Sequence, residues 1–193
     1  MTSDPAAVAR ATIGASIATQ QAMLDGEHVA ALVRAAELMT RALRGGGKLL
    51  FFGNGGSATD ATHLAAEFVG RFERERRGYP AVSLPANEST VTAIANDYGY
   101  ERVFARQIEA LGRPEDVAIA ISTSGRSENV VAGATAAREA GMAAVALTGA
   151  DGGLLADAVD VCLRAPGTST ARVQECHILM GHVLCELVER ALQ

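Results

Sequence analysis

Short apolar runs alternate along this chain with longer stretches in which apolar residues return every three or four positions. The runs Leu49–Phe52, Ala81–Leu84, Val117–Ile121, Ala143–Leu147 and Val159–Leu163 read as strands buried on both faces. Helical spacing predicts helices over Asn87–Ala95, Glu101–Leu111, Asn129–Ala140 and Gly152–Ala156. Another opens near Ser57, where Ala58, Ala61, Leu64, Ala65 and Phe68 share one face. Strands of this kind alternating with helices predict a parallel sheet covered on both sides. Ligands of such sheets bind beyond the carboxyl ends of the strands.

Ahead of the first strand, Asp4-Pro5 makes a helix start, with a capping residue before proline. Val8, Ile13 and Ile17, then Val29, Leu32, Val33, Ala36, Met39 and Leu43, follow in helical rhythm, with a break near Asp25-Gly26 and a stop at Gly45–Gly47. A covered sheet does not need these helices, so their apolar faces are expected against another subunit. The last segment, Thr170 to Leu192, is apolar around much of its circumference and is expected to be buried on several sides, again at an interface. The charged run Arg71–Arg77 is expected to be an exposed loop.

Two strand-to-helix turns carry candidate chemistry. Gly53-Asn54-Gly55-Gly56-Ser57 aims backbone N–H groups and a helix dipole at one spot, which suits a phosphate. Its pattern resembles a dinucleotide fingerprint, but no acidic residue ends the next strand, where Leu84-Pro85-Ala86 stands, and no Gly-Lys-Ser/Thr follows for a Walker loop. Taken alone, the turn also fits simple packing of helix on strand. The second turn, Ile121 to Ser127, offers the hydroxyls of Ser122, Thr123, Ser124 and Ser127 at a helix N-terminus. A plain cap needs one hydroxyl, so the excess points to a bound phosphate.

His63 and Glu67 share a helix face at the i, i+4 spacing, where an imidazole and a carboxylate can clamp a divalent metal. The same pair as a surface contact would contribute only about 0.3–0.5 kcal/mol. A zinc site needs three or four ligands, and the remaining candidates are Gln174, Glu175, His177 and His182 in the last helix. Gly181 beside His182 is out of place in a buried helix unless something approaches closely there.

Composition narrows the partners. With 193 residues the chain is expected to form one domain, and with 4% aromatics and no Trp its core must rest on small aliphatic side chains and close helices. A net charge of −5 argues against nucleic acid. Lys48, the lone lysine, lies at the wrong end of its strand to meet a phosphate. The start has no leader pattern and no run is long enough to cross a membrane, so a cytoplasmic protein is expected. Cys162, Cys176 and Cys185 form no CxxC pair and read as reduced core thiols.

GNGGSATDATHLAAE, NDYGYERVFARQIEALG, ISTSGRSENV, LTGADGG and TARVQECHILMGH together resemble the phosphoheptose isomerase branch of the SIS (sugar isomerase) domain family, from about residue 45 to the C-terminus. The resemblance implies a single SIS domain over 1–193, with a helical segment over 1–44 and the α/β core and last helix over 45–193. It implies a flavodoxin-like five-stranded parallel sheet with helices on both faces, a homotetramer and one zinc ion per site. It puts His63, Glu67, Gln174 and His182 on the zinc. It puts Asn54, Gly55, Gly56, Asn96, Asp97, Ser122, Thr123, Ser124, Ser127 and Gln174 on the substrate. The implied activity is aldose–ketose isomerisation of sedoheptulose 7-phosphate to D-glycero-D-manno-heptose 7-phosphate through an enediolate, in heptose biosynthesis, with Glu67 and His182 as acid and base. Because a bound metal lowers a carboxylate's pKa, Glu67 would leave the ion during turnover or share its work with Asp97.

Gln174 and His182 are eight residues apart, about 12 Å along a helix. That span is long for two ligands of one ion, so the site is expected to be shared between subunits, with His182 lent to a neighbour. The alternatives are a non-enzymatic SIS protein of the replication-initiator-associating type and a sugar-sensing regulatory domain. An intact set of acid–base and metal residues favours the enzyme over the first, and the sequence offers no DNA-binding segment for the second.

Overall fold

The structure, a computed structural model, describes residues 4–167 and 169–193. The start expected to carry no leader pattern spans Met1–Pro5, of which residues 1–3 lie outside them. Two helices come first, α1 (Pro5–Gln21) and α2 (Gly26–Arg44). Asp4 caps α1 with Pro5 in its first turn, and Asp25 Oδ1 accepts from the amides of Glu27 and His28 to open α2. The alternating region follows as β1 (Leu49–Gly53), α3 (Gly56–Val69), β2 (Ala81–Ser83), α4 (Glu88–Tyr98), α5 (Ala105–Leu111), β3 (Val117–Ser122), α6 (Glu128–Glu139), β4 (Ala143–Thr148) and β5 (Val161–Arg164). Helix α7 (Thr170–Ala191) ends the chain.

The strands form one parallel sheet in the order β2-β1-β3-β4-β5, the flavodoxin-like order. Successive side chains of each strand feed opposite cores. Leu49, Phe51, Val117, Ile119 and Ile121 pack against α2, α3 and α7. Leu50, Phe52, Ala118 and Ala120 pack with Phe104, Ile108, Val130 and Ala134 on the other side. Full burial of a large apolar side chain contributes about 1.5–3 kcal/mol, so Phe51 and Phe52 anchor one core each.

Some boundaries differ from the sequence expectation. The helix expected over Glu101–Leu111 is a 3-10 turn (Tyr100–Arg102) followed by α5. Gly152–Ala156 is not an α-helix but part of a 3-10 turn over Gly153–Ala158. The last strand starts later than expected, at Val161.

The charged run Arg71–Arg77 is not simply solvated. Arg76 is buried, pairs with Glu189 of α7 at 2.8 Å, and donates to the carbonyls of Glu67 and Phe68 at the end of α3. Glu189 in turn accepts from the amides of Phe72, Glu73 and Arg74. Orphan carbonyls at a helix end need such donors, so this pair ties the end of α3 and its following loop to α7.

Helix α1 buries no residue and touches α7 through polar contacts, including Ser16 to Glu175 and Arg172 to the carbonyl of Thr12. Its Val8, Ile13 and Ile17 stay exposed. Among the described residues no helix is long and apolar enough to cross a membrane, and the three cysteines are free.

Candidate functional site

The register brings both candidate turns to one edge of the sheet. Gly53 at the end of β1 pairs with Ile121, one residue short of the end of β3. From β1 the chain goes outward to β2, and from β3 it goes the other way to β4, so the crevice between β1 and β3 is the topological switch point. The Asn54–Gly56 turn and the Ser122–Ser127 turn lie side by side over that crevice.

The hydroxyl turn points inward on itself. Ser122 Oγ lies 3.1 Å from Ser127 Oγ and 3.5 Å from Ser124 Oγ, and Ser124 Oγ accepts from the amide of Arg126 at 3.2 Å. Ser127 stands at the capping position of α6, yet its hydroxyl makes no cap. Helices α1, α2, α4 and α7 are all capped by a side chain, whereas α3, α5 and α6 start without one. Uncapped amides and converging hydroxyls at one helix N-terminus suit an anion.

The second wall is built by α3 and α7 running side by side. A Cβ on Gly181 would meet Leu64 at 2.5 Å, so glycine there lets the two helices close. The close approach anticipated at Gly181 is thereby explained. A Cβ on Gly56 would occupy the place of the Gln174 amide, 2.1 Å from Nε2. Gly56 therefore admits the Gln174 side chain to the head of α3.

Packed this closely, the helices face His63 Nε2 to His182 Nε2 at 3.0 Å, while His63 Nε2 stands 3.4 Å from Glu67 Oε1. The ring of Phe72 covers His182 with 5.5 Å between centroids. One chain thus brings His63, Glu67 and His182 together and Gln174 to the head of α3, with no second subunit needed for their approach. The helical rise between Gln174 and His182 is spanned by α3, which puts Gly56 beside one and His63 beside the other.

Two donors on one zinc, about 2.0–2.2 Å from it, would lie about 3.3–3.6 Å apart in a tetrahedron. The pairs His63–His182 and His63–Glu67 come close to that spacing. Among the described residues no three His, Cys, Asp or Glu side chains form a finished metal cage, and the two close pairs share His63. Asp60 adds a further sign of the donor set's chemistry. It is buried one turn before His63, its Oδ2 has no hydrogen-bond partner, and burial pushes its carboxyl up, partly offset by the Gln174 amide and His63. A buried, half-satisfied carboxylate beside imidazoles fits a nearby cation.

Other expected residues fall in two groups. Asn54 sits on the first turn and bonds Asn129 and Tyr100. Asn96 and Asp97 are exposed at the end of α4 and bond one another, not the histidines. Ser122, Thr123, Ser124 and Ser127 lie on the turn after β3 and Gln174 reaches the head of α3, and Thr123 and Ser124 also border a cavity of about 440 Å³ reaching Gly149, Ser169 and Val173. Lys48 is at the opposite edge, paired with Asp116.

Sequence reasoning missed Asp60, Asn129 and Tyr100. Asp60 lay one turn before His63 on the same helix face. Asn129 lay inside the second motif. Tyr100 lay inside the stretch that opens at Asn96-Asp97.

The SIS domain family profile matches residues 15–149. The phosphoheptose isomerase of a Roseiflexus species is 61% identical over 161 residues, 83% of this chain and 82% of that one. That of Rhodospirillum rubrum is 52% identical over 167 residues, 86% of this chain and 89% of that one. The solved phosphoheptose isomerase of Neisseria gonorrhoeae superposes with a TM-score of 0.90 at 44% identity, covering 96% of this chain and 99% of that one.

Proposed function

The chain belongs to the SIS domain family, in its phosphoheptose isomerase branch, and from that premise we propose that it interconverts sedoheptulose 7-phosphate and D-glycero-D-manno-heptose 7-phosphate in heptose biosynthesis. One observation carries the reading: an anion cradle at Ser122–Ser127 and an acid–base face at His63, Glu67 and His182 stand over the same sheet crevice.

The hydroxyl turn holds the phosphate and so sets which carbons reach the second wall. Glu67 takes the proton from C1 of the open-chain ketose, the electrons move onto the C2 oxygen, and an enediolate forms. Glu67 returns the proton to C2, and His182 moves a proton between the two oxygens. Phe72 on His182 limits water at that ring. Asn54 stands at the β1 turn between the walls.

His63, Glu67, Gln174 and His182 would hold one zinc ion. Bound there, zinc would supply Lewis-acid stabilisation of the developing oxyanion. The donor types, the spacing around His63 and the half-satisfied Asp60 support this. We also infer a homotetramer acting in the cytoplasm. The uncovered Val8, Ile13 and Ile17 of α1 support assembly, and the free thiols support a reducing compartment.

The test is incubation of the purified protein with sedoheptulose 7-phosphate and detection of the aldose phosphate by NMR. Conversion of the phosphorylated ketose, with unphosphorylated sedoheptulose left untouched, is expected. Tight binding of the phosphate ester without any aldose would leave a binding protein and sink the enzyme reading.

A further inference from the structure

Asn54 and Asn129 exchange two hydrogen bonds across the crevice. Asn54 Nδ2–H donates to Asn129 Oδ1 at 2.8 Å, and Asn129 Nδ2–H donates to Asn54 Oδ1 at 2.9 Å. The Tyr100 hydroxyl donates to the same Asn54 Oδ1 at 3.0 Å. An amide oxygen has two lone pairs, and an amide nitrogen carries two hydrogens. Both lone pairs of Asn54 are therefore taken, and one of its hydrogens is taken. What remains is a single N–H.

The three residues come from different places in the fold. Asn54 lies on the turn after β1, Asn129 in the first turn of α6 at 4% exposure, and Tyr100 just past α4 at 55% exposure. Burial alone explains why Asn129 needs a partner. It does not explain the bond from an exposed phenol that has water available. That bond closes the remaining acceptor site on Asn54.

We propose that Asn129 and Tyr100 are positioning residues that lock the Asn54 amide as a one-hydrogen donor. So locked, Asn54 recognises a carbonyl, oxyanion or phosphate oxygen of the substrate and cannot accept from a sugar hydroxyl. The inference rests on the isomerase reading above and assigns it a discriminating contact at the β1 turn.

The test is a double-mutant cycle with an independent look at the amide. Tyr100→Phe and Asn129→Asp are each made in the wild-type chain and in Asn54→Ala. A lost neutral hydrogen bond is worth about 0.5–1.5 kcal/mol, or roughly 2- to 12-fold. Tyr100→Phe is expected to lower kcat/KM by that factor with Tm unchanged, and to cost nothing once Asn54 is gone. Asn129→Asp is expected to lose at least as much, and again nothing in Asn54→Ala. If Asn129→Asp fails to fold, Tyr100→Phe still decides the question. Equal losses in both backgrounds, or no loss in the wild-type chain, overturn the proposal. In the free protein, NMR should show one side-chain amide hydrogen of Asn54 protected from solvent exchange and the other fast. Two fast hydrogens overturn the lock whatever the kinetics. A wild-type protein that converts no substrate overturns the isomerase reading instead, and the exchange of Asn54 then decides the lock alone.

Discussion

The hydroxyl turn draws Ser122, Thr123, Ser124 and Ser127 from one short stretch between β3 and α6, whereas the histidine face joins α3 to a residue 119 positions away in α7. In the turn, neighbours in sequence are neighbours in space, and a strand end followed by a helix start is enough to assemble it. In the histidine face, nothing local sets the 3.0 Å between His63 and His182. Helix packing sets it, through the contact of Leu64 with Gly181 and the Arg76–Glu189 pair below. The first wall can hold a ligand without moving a proton. The second holds the groups that can move one. Variants at the two walls should therefore fail differently.

The largest effect is expected at Glu67. Replacing it with Gln keeps size and polarity but removes the proposed base, and general acid–base groups contribute about 10²–10⁴-fold. Glu67→Gln should lower kcat by that order with KM within a few-fold and the fold intact by circular dichroism. A kcat near that of the wild type would remove Glu67 from the chemistry and erase the contrast between the walls.

Ser124→Ala sharpens the contrast from the other side. Hydrogen bonds to a charged group are worth about 1.5–3 kcal/mol, so KM should rise about tenfold or more while kcat changes little. Steady-state kinetics on the phosphorylated ketose reads this. An unchanged KM would mean that the phosphate lies elsewhere.

The unequal legibility of the two walls has a physical cause. Strand patterning was readable in β1, β3 and β4 because strands buried on both sides leave continuous apolar runs such as Leu49–Phe52 and Val117–Ile121. Four hydroxyls in one turn were readable for the same local reason. His63 and Glu67 were half readable, since helix spacing places them together but says nothing of their third partner. Gly181 was the one trace of the helix crossing, and it marked the place without giving the geometry. Arg76 was hidden in a charged run because its partner Glu189 lies 113 positions on. The failure at Gly152–Ala156 is local in another way: Gly152 and Gly153 both take positive φ, which an α-helix does not allow.

His177 links the two walls, and pH should loosen the link. It is fully buried on α7, bonded through Nε2 to the Thr148 carbonyl at the end of β4, and next to Thr148 the Gly149 amide bonds the Thr123 carbonyl of the hydroxyl turn. Burial holds the imidazole's pKa down, with the Thr148 contact partly opposing. The unfolded chain keeps the ordinary value near 6.5. As pH falls through that value the unfolded state binds the extra proton and the folded state does not, so stability falls. The loss continues until the folded-state value is also passed. Urea melts at pH 8 and pH 5.5 should show it, and His177→Gln should flatten the difference. Equal slopes for the two proteins would show that His177 does not couple to acid unfolding.

The smallest expected effect is zero, and it tests whether the histidine face belongs to one chain. Glu67→Ala and His182→Ala should each be inactive. If the two side chains of a site came from different subunits, unfolding and refolding the variants together would create sites drawing each residue from the intact partner. With random mixing in a closed symmetric assembly, roughly a quarter of sites would recover. The structure places His63, Glu67 and His182 on adjacent turns of α3 and α7 of one chain, with His63 in contact with both others. Every site in a mixed assembly then carries one defect, whichever chain supplies it. Differently tagged variants, co-refolded and purified through both tags, should therefore show no more turnover than either variant alone. The control is wild type co-refolded with Glu67→Ala, which should retain turnover in proportion to the wild-type chains present. Recovery near a quarter in the doubly tagged pool would mean that assembly exchanges α7 between subunits. The contact through Leu64 and Gly181 would then be made across chains.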